Sequence, residues 1–170
     1  MNMPIDMSGQ LVWVIANTEA YLAGSKTIQP LHFWLGILKL LDKHLPKALD
    51  ALDLTGVKRA QVLRSVRHIR GYLEVTEERA TRLRRTLRKK MRQGVVAAEP
   101  EKLDTLHRSP ESRTVFDQAK KIAENNGAQA VSAFHLTQAL FDTGQVTLKD
   151  FKSGASSKPG SEGAQWKIEL

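Results

Sequence analysis

Residues 16–38 read Ala16-Asn17-Thr18-Glu19-Ala20-Tyr21-Leu22-Ala23-Gly24-Ser25-Lys26-Thr27-Ile28-Gln29-Pro30-Leu31-His32-Phe33-Trp34-Leu35-Gly36-Ile37-Leu38, and this stretch decides the fold. Ser8 is placed to cap a helix running to about Ala23, with Leu11, Ile15 and Leu22 as its apolar stripe and Gly24 as its stop. Pro30 fits the first turn of a second helix, His32 to about Asp42, because its missing N–H is no loss there. The same grammar returns about 103 positions later. Ala16 falls on Ala119, Ala20 on Ala123, Gly24 on Gly127 and His32 on His135, while Ile28 falls on Val131 and Ile37 on Leu140. Each copy is a helix, a glycine, an aliphatic residue, then a helix starting beside a histidine. A left-handed cap explains why both stops are glycine. Such self-similarity predicts two copies of one helical unit.

Outward from the repeat, the remaining segments also read as helices. A short one follows Pro46 with Ala48, Leu49 and Leu52, and another runs from about Lys58 to Arg70 with Val62, Val66 and Ile69 at helical spacing, weakened at Gly71. Thr76 is an N-cap for a helix over 76–93, with Glu77 and Glu78 in its first turn and Lys89, Lys90 and Arg92 near its end, as the helix dipole favours. Its apolar stripe of Ala80, Leu83, Leu87 and Met91 is narrow. Residues 94–110 read as a connector with Pro100 and Pro110 as breakers. Helices then span Glu111 to about Asn126 and Ala133 to about Asp142, the second capped by Ser132. No stretch alternates apolar and polar residues, so no strand is predicted. The predicted fold is all-α: two pseudo-twofold helical repeats, about 8–70 and 109–151, with a basic helix inserted between them in about 72–108. Residues 152–170 are expected to be a flexible tail or linker, since 152–165 are Gly, Ser, Lys and Pro in the main. The repeat core is expected to be complete without the inserted helix.

At 170 residues, with 41% apolar and 26% charged residues, the chain falls in the range of a folded domain able to bury a core without staples. It has no cysteine, which excludes disulfides, thiolate metal sites and cysteine catalysis. The N-terminus lacks the charged-then-apolar build of a signal peptide, and the run Leu31 to Leu41 is too short to span a bilayer. A cytoplasmic protein is the expectation. The net charge of +8 is unevenly placed. Residues 57–93 hold thirteen Lys or Arg against three Glu, a net of +10, which leaves −2 for the rest. An electrostatic partner is therefore expected to meet that segment.

The doubled pattern resembles the Clp N-terminal domain. Ala16 to Ala20, Gly24, Ile28 and His32 to Leu38 are similar to its first repeat; Ser109-Pro110-Glu111, Ala119, Ala123, Gly127, Val131 and His135-Leu136 are similar to its second. The resemblance implies a compact helical module at the front of Clp-type unfoldases, where it meets substrates and adaptors for unfolding and proteolysis. It also implies an AAA+ motor, in cis or in trans. In some members an acidic residue just before each histidine helps to hold phosphoarginine. Here those positions are Leu31 and Phe134, which cannot pair a guanidinium, so that property is not carried over. The two residues are instead expected to offer apolar surface to a partner helix or peptide.

Catalytic constellations are not evident. Gly24-Ser25-Lys26-Thr27 lacks the spacing and the preceding strand of a phosphate-binding loop. His32, His44, His68, His107 and His135 form no zinc-type pair, and no Ser-His-Asp or paired-carboxylate spacing stands out. The expectation is a non-enzymatic chain without metal or cofactor, in which His32 and His135 are buried and bond locally. The binding candidates are Arg82, Arg84, Arg85, Arg88, Lys89 and Arg92. Like charges at i, i+3 and i+4 repel by a few tenths of a kcal/mol each, which solubility alone does not explain. Arginine suits carboxylate or phosphate. The expected partner is an acidic surface on a protein substrate or adaptor, and nucleic acid is the alternative. The helix has too narrow an apolar face for a membrane.

Overall fold

The computed structural model describes residues 3–54, 56–95 and 106–147. Its helices are α1 (Met7–Leu22), α2 (Pro30–Leu41), α3 (Leu45–Ala51), α4 (Gly56–Leu73), α5 (Glu77–Met91), α6 (Pro110–Asn125) and α7 (Ala133–Asp142). The all-α class is as the sequence predicts, with no strand longer than an isolated bridge among the described residues. No helix there is long and apolar enough to cross a membrane. Pro100, the tail 152–170 and its end, Trp166 to Leu170, lie outside the described residues.

Caps that depend on local chemistry are largely where the sequence puts them. Thr76 accepts from the Arg79 N–H and Ser132 from the His135 N–H. Pro110 opens α6 at its first turn, with Ser109 as cap, rather than breaking the chain. The cap of α1 is Asp6, not Ser8. Ser8 bonds across the chain instead. Its hydroxyl takes the Ala133 N–H at 2.9 Å and lies 2.8 Å from that of Ser65. Helix α4 continues through Gly71 to Leu73. Burial of Leu73 offsets the roughly 1 kcal/mol that an exposed helical glycine costs.

The register of 103 extends to individual backbone hydrogen bonds. Val131 N–H donates to the Pro4 carbonyl and Asp6 N–H to that of Val131. Adding 103 to Pro4 and Asp6, and subtracting it from Val131, gives His107, Ser109 and Ile28. Ile28 N–H does donate to His107, and Ser109 N–H to Ile28, at the same distances of 2.8 and 3.0 Å. The two parallel bridges, Ile5 with Val131 and Ile28 with Arg108, are images under exchange of the repeats. Only a twofold-like arrangement maps one onto the other. Gly24 and Gly127 share the left-handed conformation, at φ 64° and 66°. After each, the next N–H closes onto the helix, Ser25 to Ala20 and Ala128 to Ala123.

Within each repeat two helices pack as a pair, α1 with α2 and α6 with α7. Gly36 permits the first packing, because a Cβ there would sit 2.8 Å from the Val12 carbonyl oxygen. Trp13 and Phe116, equivalent in the two copies, meet edge to face at 5.2 Å, and Phe33 touches both at 5.9 and 5.0 Å. One correction concerns α5. It is not an appendage to a finished core, because Ala80 and Leu83 are buried and it packs along α2. As α4 covers α7, so α5 covers α2.

His32 and His135 occupy the third position of α2 and α7. Each Nδ1 accepts an N–H from the cap residue, Gln29 at 2.9 Å and Ser132 at 3.1 Å. Burial pushes the His32 pKa down to about 4, against the pull of Glu19, and lowers that of His135 too. The unfolded chain takes up these protons near pH 6.5, whereas folded His32 does so only near 4. Stability is therefore complete above pH 6.5 and falls as pH drops through that window, by about 3 kcal/mol from His32. Urea unfolding at pH 7 and pH 4.5 is expected to show this loss, and His32→Gln to reduce it. Equal stability of the wild type at both values would refute the assignment.

Candidate functional site

Helix α5 has two cationic faces with different fates. Arg84, Arg88 and Arg92 recur every four residues and turn inward, toward acids that α1 and α2 place in otherwise apolar surroundings. Arg84 donates to Asp42 Oδ2 from Nε at 3.0 Å and from Nη2 at 2.7 Å. The Asp42 side chain is 0% exposed and that of Arg84 7%. Burial alone would raise the Asp42 pKa. The His44 N–H on Oδ1, followed by Arg84 on Oδ2, outweighs it and holds the carboxyl below its ordinary range. Glu19, 4% exposed, takes both Arg88 and Arg92, the latter at 2.8 Å. Half-buried Lys39 shares this environment, and burial followed by repulsion from Arg84 lowers its pKa.

Of the six cations expected to meet a partner, Arg84, Arg88 and Arg92 are thus instead engaged inside the fold. All three pairs are double or share a carboxylate, which fixes the rotation of α5 about its axis. Arg82, Arg85 and Lys89, at i, i+3 and i+7, lie on the adjacent, outward face, where Arg82 and Arg85 line a cleft of about 250 Å³ with Lys43, Glu78, Thr81 and Thr86. Nothing in the sequence singles out Lys43. It follows Asp42 directly, and its place beside α5 depends on packing between distant segments.

Leu31 and Phe134 occupy equivalent places at the starts of α2 and α7, and both are half-buried against the core. The Phe134 ring packs edge-on against His68 and Tyr72 of α4, at 5.5 and 5.9 Å. It lines a cleft of about 460 Å³ between α4 and the segment 126–132, with Gln61, Arg64, His68, Asn126 and His135. A second cleft of about 500 Å³ shares Asp6, Gln61 and Ala130 with it and adds Val57 and Lys58. The adjoining clefts offer apolar contacts from Phe134, Ile5 and Val57 beside the cations Arg64 and Lys58 and the carboxylate of Asp6, a mixed lining that suits an amphipathic segment. Among the described residues no three His, Asp or Glu side chains converge as a metal ion would need. No protein-family model matches the chain, and no curated protein does.

Proposed function

We propose that the chain is a protein-recognition module of the Clp N-terminal type, which takes up a segment of a substrate or adaptor for an AAA+ unfoldase supplied in cis or in trans. One observation carries the reading: the register that links the two copies in sequence is repeated, bond for bond, in the cross-paired segments before α1, α2, α6 and α7. A doubled unit joined this tightly is the architecture that the resemblance implies. It leaves Phe134 at the mouth of a groove on the second copy. Phe134 offers the apolar contact there, and Arg64 and Lys58, with Asp6 between the two clefts, orient a segment of mixed charge.

The test is transplantation. The chain is fused in place of the N-terminal domain of a Clp-type unfoldase, and turnover of unfolded, fluorescently labelled casein is followed. Turnover above that of the domain-less motor is expected, with Phe134→Glu reducing the gain about tenfold, as loss of a central aromatic contact does. Turnover that the fusion leaves at the domain-less rate counts against the reading.

A further inference from the structure

We infer that the outward face of α5, with Lys43, is a second docking surface, built for an acidic helix of a partner protein. It rests on the protein-recognition reading but uses a surface separate from the Phe134 groove. Three cations from two elements converge on one cleft: Lys43 just after α2, and Arg82 and Arg85 on α5. None has an ion-pair partner among the described residues, whereas Arg84, Arg88 and Arg92 on the neighbouring face are all paired.

The backbone beneath these groups is fixed in advance. Arg84, between Arg82 and Arg85, is anchored on buried Asp42, and Asp42 immediately precedes Lys43. The same ion pair therefore sets the cleft's two walls. The backbone that carries the three cations is thus placed before binding, which favours affinity, while their exposed side chains still lose rotamer freedom on it. Repulsion between Arg82 and Arg85 at i, i+3, and between Arg85 and Lys89 at i, i+4, is relieved when anions arrive.

The chemistry favours carboxylates over a nucleic-acid backbone. Arg82 to Lys89 spans roughly 10 Å of helix, at about 1.5 Å per residue, and so matches acids one to two turns apart on a facing helix. Guanidinium forks pair carboxylates bidentately, and the Thr86 hydroxyl offers a further donor. Glu78 stands in the same lining. It interrupts the positive surface, where a continuous phosphate chain would meet a like charge; separate carboxylates can straddle it.

The probe is a fluorescein-labelled 16-residue helical peptide with four Glu on one face, titrated against the full chain at 150 mM salt by anisotropy. Saturable binding is expected. Arg82→Glu/Arg85→Glu should weaken it at least tenfold, and Lys43→Glu, on another element, several-fold. Arg113→Glu/Lys121→Glu on α6 changes the net charge as much as the first variant and should shift binding less than twofold. Phe134→Glu should also leave it unchanged, so failure of the groove and of this surface are distinguishable. Three results would overturn the inference: no saturable binding, equal weakening by the α6 variant, or tighter binding of a labelled 20-base-pair duplex lost in the same α5 variant. Circular dichroism confirms folding of each variant, and Lys43→Glu stands alone if the α5 double variant does not fold.

Discussion

Asp42→Ala is expected to destabilise the protein by about 3–5 kcal/mol, the range found when one member of a buried ion pair is removed. Arg84 would remain inside with its charge unmatched, because its side chain is only 7% exposed and belongs to a helix packed along α2. The loss would also free the His44 N–H, which Asp42 Oδ1 now accepts at 2.9 Å. Against a typical total stability of about 5–15 kcal/mol this is a large share, visible as a fall in melting temperature of roughly 10 °C. Arg84→Met in the same background removes the stranded charge and should restore part of the loss. If the double variant is no more stable than Asp42→Ala, the stranded charge is not the cause.

Phe33→Ala is expected to cost a similar amount, about 3–5 kcal/mol, from lost burial and the cavity left behind. Its ring is fully buried and touches both Trp13 of the first repeat and Phe116 of the second. Both repeats should therefore lose stability together. Far-ultraviolet circular dichroism and tryptophan fluorescence should report one coincident transition, shifted to lower temperature or urea. A variant as stable as the wild type would show that the ring cluster does not carry this load.

How far the structure is legible in the sequence depends on the distance over which each feature is decided. Thr76, Ser132, Gly24 and Gly127 act within four residues of themselves, so local chemistry is enough to read them. Ser8 reads as a cap by the same logic, but its hydroxyl is claimed by Ala133 and Ser65, which no local rule could supply. Gly71 reads as a weak point in the helix because the burial of Leu73 is a tertiary matter. The cationic helix is legible as a helix and as a source of charge, but not in its two faces. A signal is present: Glu19 lies beside Ala16 and Ala20 on an apolar stripe, and Asp42 ends the apolar run of α2. Acids so placed need cations, and Arg84, Arg88 and Arg92 recur at the spacing that keeps three side chains on a single face. The groove at Phe134 is legible only as an apolar residue in an unusual place; its walls come from α4 and from the segment before α7.

The crossed bridges set an order on the making of the protein. Ser112 gives its hydroxyl proton to the Ile28 carbonyl 84 residues upstream, and Ser8 waits for an N–H 125 residues downstream. A ribosome adding about 5–20 residues per second delivers Ser112 several seconds after Ile28. During that interval the first helical pair is out in the cell with Phe33 and Trp13 uncovered by Phe116, and with the Ile28 backbone lacking its mate. For those seconds the apolar surface of the first copy stays open to solvent, until the second copy arrives to close it.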